Sequence, residues 1–312
     1  MESKCKSFGL SKLIAGKLSL KTNTVPVLFL LGICMMSYTV STHEIALSVR
    51  KTFNIDSLGA CQGVSVLNGK VFLYGDREVG MIREYTHEQD SLRYTGNEYK
   101  LTLEGKDLIN HPTGIACHEK LPTFIGNSIR LNPEGTRWKA VIYCVDWKGL
   151  QKTHTLDGNL LNTIEDDACI QGTRPEYVKY QNKWFVATAD YGNKSNEVRI
   201  YDPSALKKAS KTSENGVLVK KFSCGPWVQN LHWIADKNIL VLIQNQIEGR
   251  RWRFTFLDFS KSMETGHEVI LKTIDFDKTD ELEGFALIGK SNKGIAVTSS
   301  RKANVHFTES GW

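Results

Sequence analysis

The sequence predicts an all-β chain folded as a five-bladed β-propeller, and three observations predict it. First, one pattern recurs five times. Segments opening at Gln62-Gly-Val-Ser-Val, Thr113-Gly-Ile-Ala-Cys, Glu176-Tyr-Val-Lys-Tyr, Asn230-Leu-His-Trp-Ile and Glu283-Gly-Phe-Ala-Leu each place a polar residue before a short apolar strand. A second β-rich strand follows, after tight turns at Asn68-Gly-Lys, Gln181-Asn-Lys and Asp236-Lys-Asn. A period of about 50–60 residues with several strands per unit is the signature of a propeller. Second, no stretch with helical periodicity competes with this reading. Third, the last repeat runs out at Trp312 before its fourth strand, while the strand-like segment Glu44 to Ile55 precedes the first repeat. Pairing the two closes the ring and removes an exposed sheet edge.

The remaining elements follow in order. Third strands are expected at Met81 to Tyr85, Ala140 to Trp147, Val198 to Tyr201, Arg253 to Phe259 and Asn304 to Phe307, several of which alternate apolar and polar residues. Fourth strands are expected at Tyr99 to Leu103, Gln151 to Leu156, Val217 to Phe222 and Glu268 to Ile274. The Lys/Ser-rich run Ala205 to Gly216 reads as the most flexible loop. The propeller thus takes residues 44–312, and its size suits one domain with a large core.

The N-terminus is a separate unit. Residues 1–24 carry Lys4, Lys6, Lys12, Lys17 and Lys21 against Glu2 alone, and residues 25–40 carry no charge. This asymmetry predicts export of the chain beyond residue 40. The uncharged span lies between a signal-peptide core and a full membrane helix. Its long charged leader favours an uncleaved signal anchor over cleavage near Thr39-Val-Ser41. The expectation is a single-pass type II membrane protein or a secreted one. The leader also carries most of the formal net charge of +6. A near-neutral domain remains, which argues against nucleic-acid binding.

Cysteines fall at Cys5, Cys34, Cys61, Cys117, Cys144, Cys169 and Cys224, without metal-ligand spacing. Cys117 and Cys144 read as buried small apolar residues. One disulfide among Cys61, Cys169 and Cys224 suits an exported protein. Asn193-Lys-Ser195 is a glycosylation sequon.

Function is placed by the repeat. In a hairpin the start of strand one lies beside the end of strand two, so both ends face one mouth of the central channel. That mouth is expected to gather Gln62, Asp76, Thr113, Asn127, Glu176, Asp190, Asn230, Asn245, Glu283 and Ser299. A set of oxygen donors with several carboxylates suits a hard cation, Ca²⁺ first, held by Glu176, Asn230 and Glu283. Basic residues follow the strand-two ends. Arg77, Arg174 and Arg250, with the amides of Asn127 and Asn245, are expected to bind an anionic small molecule. Asp76 and Asp190 would orient water for hydrolysis of a phosphate or ester bond. The alternative is a non-enzymatic module that holds a glycan or protein on Trp227, Trp233 and Trp252.

The run Gln62-Gly-Val-Ser-Val-Leu-Asn-Gly-Lys-Val-Phe-Leu-Tyr-Gly-Asp-Arg-Glu-Val-Gly80 resembles the first blade of the calcium-activated nucleotidase (apyrase) family. Leu282-Glu-Gly-Phe-Ala-Leu-Ile288 is similar to that family's last-blade motif, and Glu176 before Lys183-Trp-Phe to its acidic residue before a Trp-Phe-Phe strand. The resemblance implies five blades, a type II anchor and calcium ligation by Glu176 and Glu283. It further implies that Asp76 and Arg77 serve nucleotide phosphates. Thr113 stands where that family has Glu, and its Glu-Trp-Leu motif is missing from the second blade.

Overall fold

Five antiparallel sheets of four strands each succeed one another along the chain. The computed structural model describes residues 44–76, 78–194, 196–246 and 249–312, which fall in one compact unit, His43–Trp312. Strand β1 (Ala46–Phe53) comes first. Blade one is β2 (Cys61–Leu67), β3 (Lys70–Gly75), β4 (Met81–Glu88) and β5 (Ser91–Lys100), followed by the small hairpin β6 (Thr102–Leu103) and β7 (Lys106–Asp107). Blade two is β8 (Pro112–Ala116), β9 (Thr123–Arg130), β10 (Trp138–Val145), helix α1 (Trp147–Thr153) and β11 (Leu160–Glu165). Blade three is β12 (Glu176–Tyr180), β13 (Lys183–Thr188), β14 (Glu197–Tyr201), α2 (Pro203–Leu206) and β15 (Leu218–Ser223). Blade four is β16 (Val228–Ile234), β17 (Ile239–Asn245), β18 (Trp252–Asp258), α3 (Phe259–Thr265) and β19 (Ile270–Phe276). Blade five is β20 (Leu282–Leu287), β21 (Lys293–Thr298) and β22 (Val305–Gly311), completed by β1.

Ring closure is as the sequence predicts. β1 pairs antiparallel with β22, from Ala46 opposite Gly311 to Phe53 opposite Val305. The first strands β2, β8, β12, β16 and β20 are innermost and neighbour one another around the axis. Apolar side chains fill the five interfaces between blades. Each of five buried clusters joins two adjacent blades, such as Val178, Val198, Leu231 and Leu242 between blades three and four. The hairpin turns Asn68-Gly69 and Gln181-Asn182 have positive φ at both central residues. That geometry matches the right-handed twist of the strands they join.

Several elements differ from expectation, each for a local reason. Blades two, three and four insert a short helix between strands three and four. Each starts one residue after an aspartate that ends or follows the third strand: Asp146, Asp202 and Asp258 cap backbone N–H groups of Gly149, of Ser204 and Ala205, and of Lys261. The segment Gln151 to Leu156, expected as a strand, therefore ends a helix, and the fourth strand lies at Leu160–Glu165. Blade one's fourth strand, by contrast, begins earlier than expected, at Ser91–Lys100. The run Ala205 to Gly216 is anchored rather than loose. Leu206 and Ala209 are buried, and Thr212 donates to Asp166 (2.9 Å) and Asp167 (3.1 Å).

Cys61, Cys117, Cys144, Cys169 and Cys224 are all free thiols, so no disulfide joins the three expected to supply one. Cys61 is fully buried, and burial pushes its thiol up to about 12. Trp233 and Trp252 do not present exposed rings. Both are buried, and Trp252 Nε1 donates to the Asp280 carbonyl at 2.9 Å. Residues 1–43, including the basic leader, the uncharged span 25–40, Cys5 and Cys34, lie outside the described residues. So do Arg77 and Ser195 of the sequon. No helix among the described residues is long and apolar enough to cross a membrane.

Candidate functional site

The inner strands carry a bulge that the repeat pattern conceals. Gln62, Thr113, Gln229 and Glu283 are extra residues left unpaired between regular ladder pairs. A bulge re-aims one side chain without disturbing the rest of the ladder. The next pairs inward are Gly63–Tyr74, Gly114–Gly126, Asn230–Ile243 and Gly284–Val297, and in blade three Glu176–Ala187. Neighbour packing confirms the frame. Val64, Ile115, Tyr177, Leu231 and Phe285 all pack against the preceding blade. The polar residues that open the inner strands thus occupy two levels. Gln62, Thr113, Gln229 and Glu283 lie at the mouth, while Glu176 and Asn230 lie one residue deeper, where the other blades have glycine.

One glycine is required at the deeper level. A Cβ on Gly63 would meet the Tyr74 ring at 2.2 Å. The phenol of Tyr74 crosses above Gly63, fully buried, and its oxygen accepts from Asn230 Nδ2 at 3.0 Å. Asn230 Nδ2 also donates to the Glu283 carbonyl (3.2 Å), and Asn230 Oδ1 accepts from Leu231 N (2.8 Å). Asn230 therefore turns its nitrogen, not its oxygen, to the axis.

This geometry does not fit a shared cation. The Asn230 oxygen is already spent on backbone. Glu176 lines a cavity on the hairpin side with Val64, Phe72, Ile115 and His232, while Glu283 is grouped with Glu281, Arg174, Asp76 and Arg250 at the mouth. No cluster of three His, Cys, Asp or Glu side chains able to hold a metal occurs among the described residues. Chelator is expected to leave the melting temperature within about 1 °C of its untreated value. A ligand present at 100 times its dissociation constant would supply about 2.7 kcal/mol, so a drop of several degrees with EDTA would restore the calcium reading.

The other sequence-selected residues divide by environment. Asp190 accepts from Ile170 N (2.9 Å) and Gln171 N (2.8 Å), which fixes the segment entering blade three. Asn127 accepts from His111 N (2.9 Å), and Asn245 accepts from Leu282 N (3.0 Å). These three hold backbone, so Asp190 is not free to orient water. Asp76 is engaged differently. Its Oδ2 lies 2.7 Å from His111 Nδ1, with both side chains partly exposed. Arg174 is buried without a carboxylate partner among the described residues. It donates to Gln229 through Nε and Nη2 (3.2 Å each), packs over the Tyr191 ring, and leaves Nη1 unpartnered. Burial pulls its guanidinium below the usual range, opposed by Asp190.

Glu283 and Glu281 form the chemical centre of the mouth. Glu283 is 5% exposed. Burial, with the Glu281 charge second, raises it well above the usual carboxylate range. Glu281 is tied to Arg250 (3.2 Å), Tyr191 Oη (3.2 Å) and Gln229 Nε2 (3.0 Å). Beside them a cavity of about 410 Å³ is lined by Arg130, Trp138, Tyr191, Trp227, Asn245 and Arg250, among others. Trp227 sits at φ +60, a region costly for a bulky side chain, and leaves its indole N–H buried and unpartnered.

Sequence reasoning missed Glu281, His111, Gln229 and Tyr191. One signal was present: Glu281 stands two residues before Glu283, at the entry to β20. For His111 no sequence signal exists, because Asp76 brings it in across the interface between blades one and two.

No family model matches the chain, and no curated protein does, so the nucleotidase resemblance rests on its short motifs alone. Solved structures do align with the chain. Glutaminyl cyclase from Myxococcus xanthus aligns with a TM-score of 0.55 at 11% identity, covering 86% of this chain and 97% of that one. A chain of the mitotic checkpoint complex aligns at 0.44 with 13% identity, over 78% of this chain and 61% of that one. Hydrazine synthase from Kuenenia stuttgartiensis aligns at 0.42 with 9% identity, over 77% and 56%.

Proposed function

We infer that the propeller is an enzyme working by acid–base chemistry at its mouth, on a small anionic molecule that bears a carbonyl. The observation that carries this is Glu283, a carboxyl buried at the mouth that burial, with the Glu281 charge second, raises well above the usual carboxylate range. A carboxyl whose hold on its proton is strengthened by burial is suited to donate that proton or a hydrogen bond where charge develops. Asp76 orients His111 through Nδ1, which leaves the other ring nitrogen to accept a proton from a nucleophile. Glu283 protonates the carbonyl oxygen or the leaving group. Arg250 and Arg130 at the rim supply charge for the substrate's anionic group. Asp76 keeps a positioning role here, through His111. That a glutaminyl cyclase has this fold supports an enzymatic propeller, and acyl transfer is among the chemistries the site's groups suit. The basic leader and uncharged span support placement on the far side of a membrane.

The test is a substrate panel: N-terminal glutaminyl peptides followed by ammonia release, nitrophenyl esters, and nitrophenyl phosphate. Turnover is expected on a carbonyl substrate, falling about 10²-fold or more in Glu283→Gln and in His111→Ala. Full activity in Glu283→Gln would overturn the reading. Silence across the panel would favour a recognition module built on Trp227 and Tyr191.

A further inference from the structure

The hairpin face, opposite the mouth, carries a cavity that the acid–base reading does not use. A groove of about 800 Å³ runs between the hairpins of blades one and two and helix α1. Next to it, on the channel axis, lies an inner chamber of about 130 Å³, and Leu67, Phe72, Cys117 and Trp147 line both. The combined space falls in the range of small-molecule sites. Its walls sort by depth. The outer groove has an apolar floor of Leu67, Phe72, Leu121, Val145 and Trp147.

Four lysines rim the groove. Lys70 pairs with Glu84 at 3.3 Å, but Lys120, Lys148 and Lys207 have no carboxylate partner among the described residues. Of the two rim carboxylates, Asp146 already caps α1, and only Glu119 opposes the lysines. The chamber beyond is mostly apolar, with Val64, Val66, Ile115 and Ala286 around two titratable groups, Glu176 and His232.

Both groups are uncharged near neutral pH. Burial raises Glu176 to about 8, and burial lowers His232 to about 4. His232 Nε2 accepts from Leu287 N at 3.1 Å, so its proton sits on Nδ1. Cations without a carboxylate partner among the described residues stand outside, shared apolar walls lie between, and the inner end holds one carboxyl and one imidazole.

We propose that this face binds a free anionic amphiphile, a carboxylate or phosphate monoester with an apolar body, its head at Lys120, Lys148 and Lys207 and its tail in the chamber beside Glu176. The enclosed end favours a dissolved molecule over a membrane surface, since a headgroup held in a bilayer could not send its chain through the channel wall. The lysines attract the head, the floor removes the tail from water, and Glu176 donates to any carbonyl or hydroxyl that reaches it. The site is independent of the mouth.

Isothermal titration with octanoate, decanoate and octyl phosphate tests this, with octanol as the uncharged control. The anionic probes are expected to bind and octanol to bind at least tenfold more weakly. The surface variant Lys120→Ala/Lys148→Ala/Lys207→Ala should lose affinity tenfold or more while keeping its melting temperature and mouth activity. Glu283→Gln should bind the probes as the wild type does, which separates this site from the one above. Equal binding of octanol, unchanged affinity in the triple lysine variant, or no heat with any probe would overturn the proposal. So would sedimentation with anionic vesicles in the absence of binding to dissolved decanoate.

Discussion

Removal of residues 46–53 is expected to lower the melting temperature by about 10 °C or more, or to abolish cooperative unfolding. The strand they form ties the start of the chain into blade five and so joins the two ends of the ring. It buries Leu47 and packs Val49 and Phe53 on blade five, with Phe53 stacked at 5.4 Å on Phe307. Burying large apolar side chains is worth about 1.5–3 kcal/mol each, and about 1 kcal/mol moves the midpoint roughly 2–4 °C in a domain of this size. Its loss also bares the whole β22 edge, a template for aggregation. Arg50 gives the control. A register shift sets it out of the ladder, and it is exposed and paired only with Glu309 among the described residues. Arg50→Ala should move the midpoint by less than about 1 °C, because exposed pairs contribute little. A deletion variant that melted like the wild type would mean that blade five is stable without its outer strand.

Much of the architecture was legible because period-two apolar strands and tight turns are local signals. The blade count, the ring closure and every third strand could be read from them. The three inserted helices were not, although each has an aspartate at its start, because seven residues or fewer give no helical period to detect. The site was half legible for a more specific reason. Gln62, Thr113 and Glu283 are each followed by glycine, whereas Glu176 and Asn230 are followed by Tyr177 and Leu231. That difference marks the bulge. Aligned on it, Gln229 stands beside Gln62 and Glu283, and Asn230 beside Gly63. A one-residue slip in a strand reassigns every side chain to another face. Here it moved Glu176 out of the mouth and into the chamber behind it. Tyr74, which fills the axis, was hidden altogether, since its reach depends on the missing Cβ of a residue on the neighbouring strand.

Two carboxyls that the fold desolvates are costly to it, and the cost depends on pH in a way that can be measured. Unfolded, Glu176 titrates near its ordinary value of 4.5; folded, burial raises it to about 8. The unfolded chain therefore gives up its proton first as pH rises. The fold has its full stability from this group below about 4.5, loses it progressively through the window up to about 8, and loses no more above that. Each tenfold change in proton affinity between the two states is worth about 1.4 kcal/mol. Counting about half of that window, because the carboxyl keeps part of its surface open to the chamber, leaves roughly 2 kcal/mol. Glutamine has the same shape and no titration. Glu176→Gln should match the wild type near pH 4.5 and melt about 5 °C higher at pH 8.5, given roughly 2–4 °C per kcal/mol. Glu283→Gln should stabilise in the same direction as pH rises, since burial raises that carboxyl too. The two variants then part company in function. Glu283→Gln gains stability and loses turnover, as expected where a strained polar group serves chemistry, while Glu176→Gln gains stability and keeps it. A Glu176→Gln midpoint that tracked the wild type across the whole range would show the carboxyl to be solvated and ionised, and the chamber to be open to water.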